Sequence, residues 1–418
     1  MCTPLQLACR ESECNMLTVQ YLVEKLHVDI NARFAHMDAE DRYDGDGPSP
    51  GGTALHILAS ADHYWQLDAM RYLIAHGADV NALNRKNESP IHVAASGERN
   101  GSGDEGFWRS EAVNILLDHG ADLNIVDEEG CTPLHKATDS GDATRQLLQK
   151  GADPTVGRQS PLFRAIDNEN LEALEALLDH GLSVNTVDED SFRHFSRRPL
   201  RKQYPVMPAA FANRMGTGVL GSMPLLRTLV ERGADLYLPL NDQETIIQYL
   251  FEEPSWYEVS DTLLQEPCVS RIDFNHCDQI GRTVLMASCR WEGRVPGYFE
   301  RGRVVPKAQG APIRILDQGA DATSVDDDGK TALHHLLNNA AMPDEIVINF
   351  INREDVAPTL WLQDNGGFTP FHCALRTLRP SVCSWFLDKG ASASKPDPKG
   401  LTPLHHIATQ CLKIKKEL

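Results

Sequence analysis

Between His119 and Ile166 one residue pattern closes and begins again. Thr132-Pro133-Leu134-His135-x-Ala137 opens it, Leu147-Leu148 follows, Gly151-Ala152-Asp153 ends it, and Ser160-Pro161-Leu162 reopens it 28 residues after Thr132. A chain punctuated in this way builds a repeated unit, and each mark has a physical reason. Thr132 or Ser160 serves as a helix N-cap, with Pro133 or Pro161 at the first helical position, where a missing amide hydrogen costs nothing. Leu134, Ala137, Leu147 and Leu148 form an apolar stripe on two short helices, and Gly151 stands where a helix stops in a left-handed residue. The polar stretch from Gly151 to the next cap is an extended, turn-like connection.

The same marks recur along the chain. The first unit has Thr3-Pro4-Leu5-Gln6-Leu7-Ala8, with Gln6 in the histidine place and a second helix around Val19 to Leu26. An acidic, Gly/Pro-rich insertion from Phe34 to Gly52 follows, too poor in apolar residues to fold alone. Thr53-Ala54-Leu55-His56 and Ser89-Pro90-Ile91-His92 open the next two units, which stop at Gly77-Ala78-Asp79 and Gly120-Ala121-Asp122, the second of them interrupted by an insertion from Gly97 to Trp108. In the fifth unit Phe163 replaces histidine and the stop is Gly181. The sixth is degenerate, with helices expected over Val206 to Arg214 and Met223 to Arg232, and the seventh, Glu244 to Leu264, keeps only helical spacing. Thr283-Val284-Leu285-Met286 opens the eighth, which carries a basic insertion from Arg290 to Gln309. Thr331-Ala332-Leu333-His334, Thr369-Pro370-Phe371-His372 and Thr402-Pro403-Leu404-His405 open the last three, and the eleventh unit is expected to be a half repeat.

These residues resemble the ankyrin repeat, which carries T-P-L-H-x-A and runs about 33 residues. The resemblance covers nearly the whole chain, most sharply units two to four and nine to eleven. It implies an all-α ankyrin-repeat solenoid of stacked helix-turn-helix repeats with short β-hairpin loops and irregular insertions. It also implies a non-catalytic scaffold or adaptor that binds a partner protein through hairpin tips and the concave helix face. The expected division is residues 1–187, about five repeats; 188–239, a degenerate repeat with a basic insertion; and 240–418, the remaining repeats.

At 418 residues the chain is too long for one compact core, but repeats bury their faces on their neighbours. The net charge of −19 opposes sequence-independent attraction to nucleic acid or anionic lipid. No apolar run is long enough to span a bilayer, and the ten cysteines include no C-x-x-C pair, so an intracellular protein, cytoplasmic or nuclear, with reduced thiols is expected. A monomer is expected, with no membrane insertion and no nucleic acid.

Signals of chemistry are sparse. Gly216-x-Gly218-x-x-Gly221 matches a dinucleotide fingerprint, but it follows a predicted helix where a strand is required. Gly329-Lys330-Thr331 lacks the earlier glycine of a phosphate loop. The histidines 56, 92, 135, 334, 372 and 405 fall one per repeat, a spacing that suits imidazoles tying neighbouring repeats better than a metal site. Asp44-x-Asp46-Gly47 is followed by Pro48 and lacks a calcium loop's bidentate glutamate. Cys131 and His135 have no third orienting group. The expectation is therefore no catalytic residue, no cofactor and no metal. The alternatives are a nucleotide- or cofactor-binding enzyme using residues 188–239, or the repeat portion of a larger multidomain protein. The run Arg193 to Lys202 reads as a solvated loop, an import signal or a docking site for acid. By the resemblance, Asp127, Glu128, Glu129, Asp188, Glu189, Asp190, Asp326, Asp327 and Asp328 sit at hairpin tips. The first acid of each trio is explained by turn chemistry. The others are candidates for meeting a basic partner segment, or else serve solubility.

Overall fold

The computed structural model describes residues 3–10, 16–33, 51–60, 64–96, 105–187, 204–211, 222–240, 243–252, 257–265, 267–290, 310–392, 394, 396, 400–402, 405 and 408, without side chains at 105–109, 211, 222 and 257–258. It divides into two compact units, one of Met1–Ser191 with Phe211–Leu225 and one of Phe192–Ala210 with Leu226–Leu418. In the first unit the helices come in pairs: Pro4–Arg10 with Met16–Glu24, Ala54–Ala59 with Tyr64–Ala75, and Pro90–Ala95 with Glu105–Asp118. Pro133–Lys136, prolonged by the 3-10 turn Ala137–Asp139, pairs with Gly141–Gln149, and Pro161–Asp167 with Leu171–Asp179. Val206–Phe211 and Ser222–Glu231 follow in sequence. In the second unit the pairs are Ile246–Glu252 with Tyr257–Leu263, Val284–Cys289 with Ala311–Asp317, Ala332–Asn338 with Asp344–Ile351, and Pro370–Arg376 with Pro380–Asp388.

Within each unit the first helices of successive pairs pack on one another, and so do second helices. The result is the all-α repeat stack that the punctuation implies. Each helix is too short to hold itself in water. Leu55, Leu58, Leu73, Leu147 and Leu174 in the first unit, and Leu250, Leu285, Leu333 and Phe350 in the second, are buried between helices and supply what propensity cannot. Among the described residues the extended connections form no strand, only an isolated bridge between Pro239 and Thr245. One boundary differs from expectation. Residues Glu105 to Trp108 belong to the third repeat's second helix, not to the insertion before it, since a glycine such as Gly106 is tolerated in a first turn.

The Gly-Ala-Asp stop works on both sides of each junction. Gly151 has φ +94°, which lets its amide donate to Leu148 O at 3.1 Å and the Ala152 amide donate to Leu147 O at 3.0 Å, satisfying carbonyls the helix leaves open. Two residues after the aspartate, an asparagine reaches the following repeat. Asn81 Nδ2 donates to Gly120 O at 3.2 Å while its Oδ1 accepts the Asp122 amide at 2.9 Å, and Asn31 does the same to Gly77 and Asp79. Asn124 and Asn275 accept the amides of Asp153 and Asp321. The 28-residue fourth unit is short for an identifiable reason. Twelve residues separate Gly77 from Ser89, Gly120 from Thr132 and Gly319 from Thr331, but only nine separate Gly151 from Ser160, so the connection lacks a full hairpin tip.

The recurring fourth position of the anchor is the main tie between repeats. In the second, third, fourth and ninth repeats the ring Nδ1 accepts the amide of the capping Thr or Ser at 3.1–3.2 Å and lies within 3.0 Å of its hydroxyl. This is a capping box with imidazole in the place of the usual Glu or Gln. The other ring nitrogen donates to a carbonyl just before the next anchor: His56 to Glu88 O at 3.0 Å, His92 to Cys131 O at 3.1 Å, His135 to Gln159 O at 2.5 Å and His334 to Phe368 O at 3.1 Å. Gln6 fills the same role, its Oε1 accepting from the Thr3 amide and its Nε2 donating to Ala32 O and Gly52 O. Gln248 likewise donates to His276 O and Arg282 O.

These networks assign the neutral, Nε2-protonated ring. Burial pushes the pKa of His56, His92, His135 and His334 below the ordinary 6.5, against the opposing pull of the carbonyls they bond. Below about pH 6.5 the unfolded chain therefore binds protons that the folded chain refuses, and stability falls as pH falls. Each ring contributes at most about 1.4 kcal/mol per pH unit in that window. Denaturant unfolding between pH 7 and 5 should show this loss. His92→Gln, which keeps the side-chain chemistry of Gln6, should stay within about 1 kcal/mol of the parent at pH 7. It should also have a shallower slope in the acid range, whereas an unchanged slope would show that His92 is not among the rings responsible.

Candidate functional site

Five of the described connections end in a turn built by one Asp or Asn. Asp127 donates its amide to Cys131 O at 2.9 Å, its carbonyl accepts the Gly130 amide at 3.0 Å, and its Oδ1 accepts the amides of Glu129 and Cys131. The same backbone pair recurs at Asn84, Asp278, Asp326 and Asp364. The fourth turn residue takes a positive φ, supplied by Gly130, Gly281, Gly329 and Gly367 and, in the first case, by Asn87 at +57°. Neighbouring turns are tied through their backbones. Glu128 N donates to Lys86 O at 2.9 Å, Arg158 N to Gly130 O at 2.9 Å, Asp327 N to Ile280 O at 3.1 Å and Asn365 N to Asp328 O at 2.8 Å.

This geometry sorts the acidic trios. Asp127 and Asp326 are buried and point back to the first helix of their own repeat, Asp127 to Lys136 at 2.8 Å and Asp326 to His335 at 2.7 Å. Burial alone raises a carboxyl pKa, but the Lys136 bond and Cys131 amide outweigh it at Asp127, as His335 and the Lys330 amide do at Asp326, so both stay below the usual range. Glu129 and Asp328 are exposed but paired, to Arg164 at 2.9 Å and Lys330 at 2.7 Å. Glu128 and Asp327 are exposed, and among the described residues their carboxylates meet no partner. The trio Asp188, Glu189 and Asp190 lies outside the described residues. The sign of the tips also varies, since Arg85 and Lys86 occupy the exposed positions that Glu128 and Glu129 hold one repeat later.

Two charge clusters, one half-buried and one almost wholly buried, were not anticipated. Lys136 Nζ sits among Asp127, Glu88 and Glu129 at 2.8, 3.4 and 3.7 Å. Arg282, almost wholly buried, meets Asp278 at 2.8 Å, Glu244 at 3.4 Å and Glu252 at 3.8 Å, and Glu252 in turn meets Arg290. A lysine after the anchor histidine and an arginine before an anchor threonine are the sequence signals, but neither says that the charge will be buried.

Asp127, Glu129 and Cys131 bring potential metal-binding atoms within 4.8 Å of one another. Cations of the chain already occupy that cluster: Lys136 on Asp127, and Arg164 at 2.9 Å from Glu129 and 3.1 Å from the Cys131 sulfur. Burial raises the Cys131 thiol, against the opposing Arg164 charge, and both His135 nitrogens are engaged by Thr132 and Gln159. Sulfur and ring are thus not arranged as nucleophile and base. The glycines 216, 218 and 221, the run 193–202 and the acids 38–46 lie outside the described residues. No described helix is long and apolar enough to cross a membrane.

Comparison with known families agrees with this geometry. Residues 55–102 match the model for ankyrin repeats in many copies and residues 106–188 the model for ankyrin repeats in three copies. With the helical pairs continuing beyond them, the chain is an ankyrin-repeat protein. Over 48 residues, 11% of this chain, it is 46% identical to NF-kappa-B inhibitor zeta of Homo sapiens and of Mus musculus. That segment spans only 7% of the length of those curated relatives.

The two kinds of acid at one tip predict opposite responses. Asp127→Ala removes the nearest partner of the half-buried Lys136, which keeps Glu88 and Glu129, and leaves two turn amides without their acceptor, so denaturant unfolding should show a loss of roughly 1–3 kcal/mol. Glu128→Ala should stay within about 0.5 kcal/mol.

Proposed function

We propose that the chain is a non-catalytic scaffold or adaptor. It binds a partner protein through the hairpin tips and the concave face of the first helices, and the partner carries basic residues that face the acidic tips. The observation that carries this reading is the separation of roles within the trios. The fold uses Asp127 and Asp326 for its own turns, while Glu128 and Asp327 are exposed on turns whose backbones bond to the neighbouring repeat. Exposed acids fixed in position raise the rate of meeting a basic surface and make that rate salt-sensitive. The match to ankyrin repeats, a class of module that mediates protein–protein interaction, supports the same reading, as do relatives named for inhibiting NF-kappa-B. By analogy of sequence, Asp188, Glu189 and Asp190 are proposed as further acids that meet the basic partner. The buried thiols of Cys9, Cys268, Cys289 and Cys373 fit a reducing compartment, cytoplasm or nucleus, and the chain is taken to act as a monomer.

The test is crosslinking and affinity capture of the partner from native extract, followed by kinetics of its association. Replacing Glu128, Glu129, Asp327 and Asp328 together with Ser should leave the melting temperature nearly unchanged, because exposed ion pairs contribute little. It should slow capture several-fold at low salt and lose that effect at high salt. An unchanged rate would make these acids solubility features and move the interface to the helices or insertions.

A further inference from the structure

Among the described residues, Asn365 is the only asparagine followed by glycine, and that pair has a chemistry of its own. Closure of an asparagine side chain onto the next backbone amide is hindered by a larger neighbour, whereas glycine has no Cβ and leaves the backbone free to turn. Asn365 and Gly366 are both exposed, in the turn that Asp364 builds before the tenth repeat. Asn365 follows the turn aspartate directly, the place that Glu128 and Asp327 hold in their own tips. Its amide makes the equivalent bond to the neighbouring turn, donating to Asp328 O at 2.8 Å.

This tip differs from the others at the atom that would attack. Two residues after the turn residue, the amides of Lys86, Glu129, Ile280 and Asp328 donate to the turn side chain's Oδ1 at 2.8, 2.9, 3.1 and 3.0 Å. Asp364 Oδ1 accepts the Phe368 amide at 2.8 Å, but among the described residues the Gly366 amide has no hydrogen bond. The side chain of Asn365 is held by one bond, its Nδ2 donating to Asp327 O at 2.8 Å. A single exposed bond is a weak hold, so rotation of Cγ toward the Gly366 nitrogen is open to the folded chain.

We propose that Asn365 is a site of spontaneous deamidation in the folded protein, which gives the tip before the tenth repeat an acid where Glu128 and Asp327 stand in theirs. The Gly366 amide gives its proton to solvent base, and its nitrogen bonds to Asn365 Cγ. The Cγ–Nδ2 bond breaks, and Nδ2 leaves as ammonia with a proton taken from water. A second water opens the five-membered imide, at Cγ to give aspartate or at the main-chain carbonyl carbon to give isoaspartate. Nothing is oxidised or reduced, and each product carries one added negative charge. Both lose the donor to Asp327 O, and a carboxylate left facing that carbonyl is repelled, so the tie between neighbouring tips loosens as the charge appears. The site itself is independent of the scaffold reading. That the new acid speeds encounter with a basic partner rests on that reading.

The test holds the full folded chain in mildly alkaline buffer, beside the same chain unfolded in urea, and follows tryptic fragments by mass spectrometry over time. The fragment from Glu354 to Arg376 has Asn365 as its single asparagine, so the mass gain from amide to acid reports this site. The folded chain should react within about tenfold of the unfolded rate, because one side-chain hydrogen bond is the hold to be broken. Methylation by isoaspartyl methyltransferase should mark the isoaspartate share. Asn365→Gln, whose longer side chain closes a ring poorly, should abolish both signals. Asn365→Asp should elute with the aged protein on anion exchange and capture the native partner about twofold faster at low salt. The proposal falls if the folded fragment keeps its mass while the unfolded one reacts, or if Asn365→Gln gains mass equally. A mass gain with capture unchanged in Asn365→Asp would overturn the link to the partner alone, and the four-serine variant decides separately whether acidic tips serve capture at all.

Discussion

A neutral imidazole bonded on both sides holds one repeat to the next. Its Nδ1 closes the helix cap of its own repeat, and its Nε2–H satisfies a carbonyl that the following connection would otherwise leave buried and unpaired. His56, His92, His135 and His334 all do this, and the bond works in both directions along the stack. Each cap is stabilised only when the next repeat is in place, and each connection is fixed only by the cap before it. Cooperativity between units too small to fold alone follows from that dependence. Where histidine is absent, Gln6 and Gln248 replace it with a longer side chain that still donates through Nε2 to the same kind of carbonyl. A neutral amide does the same work as the imidazole, so the tie does not depend on a titratable group, and the fifth and eighth repeats, with Phe163 and Met286 in that place, do without it.

Charge in this molecule has two separate duties. Lys136 and Arg282 are drawn inward among carboxylates, and at the almost wholly buried Arg282 removing Asp278 would leave charge uncompensated at a cost of several kcal/mol. The tip residues Arg85, Lys86, Glu128 and Asp327 lie in water, where their contribution to stability is small and their contribution to recognition is free to differ from repeat to repeat. The inward charges make the tips rigid through the turn aspartates, so the outward charges occupy defined places. Rigid presentation lowers the ordering cost a partner would otherwise meet on binding.

Helix starts, stops and pairings were legible from local chemistry. Thr-Pro, Gly-Ala-Asp and the apolar doublets act over a few residues, so Thr132, Pro133 and Gly151 mark their elements without knowledge of the rest. The seventh repeat was legible only as helical spacing, because Gln248 in the histidine place has no local signature until its partner carbonyls are known. The same holds for Asn31, Asn81 and Asn124. Their bonds reach some 30 to 50 residues along the chain, to backbone groups that the sequence does not display.

What the sequence by itself determined is the repeat, its helical class and the turn duty of the first acid in each trio, since all three depend on contacts within a few residues. Only the tertiary structure decided that Glu129 and Asp328 are neutralised by Arg164 and Lys330 while Glu128 and Asp327 are not. It also decided that Arg282 is buried, and that neighbouring tips are bonded into a row whose charges change sign. Those outcomes depend on which side chain of an adjacent repeat lies within reach. Distance of that kind is set by the stacking of helices, and a one-dimensional pattern carries no record of it.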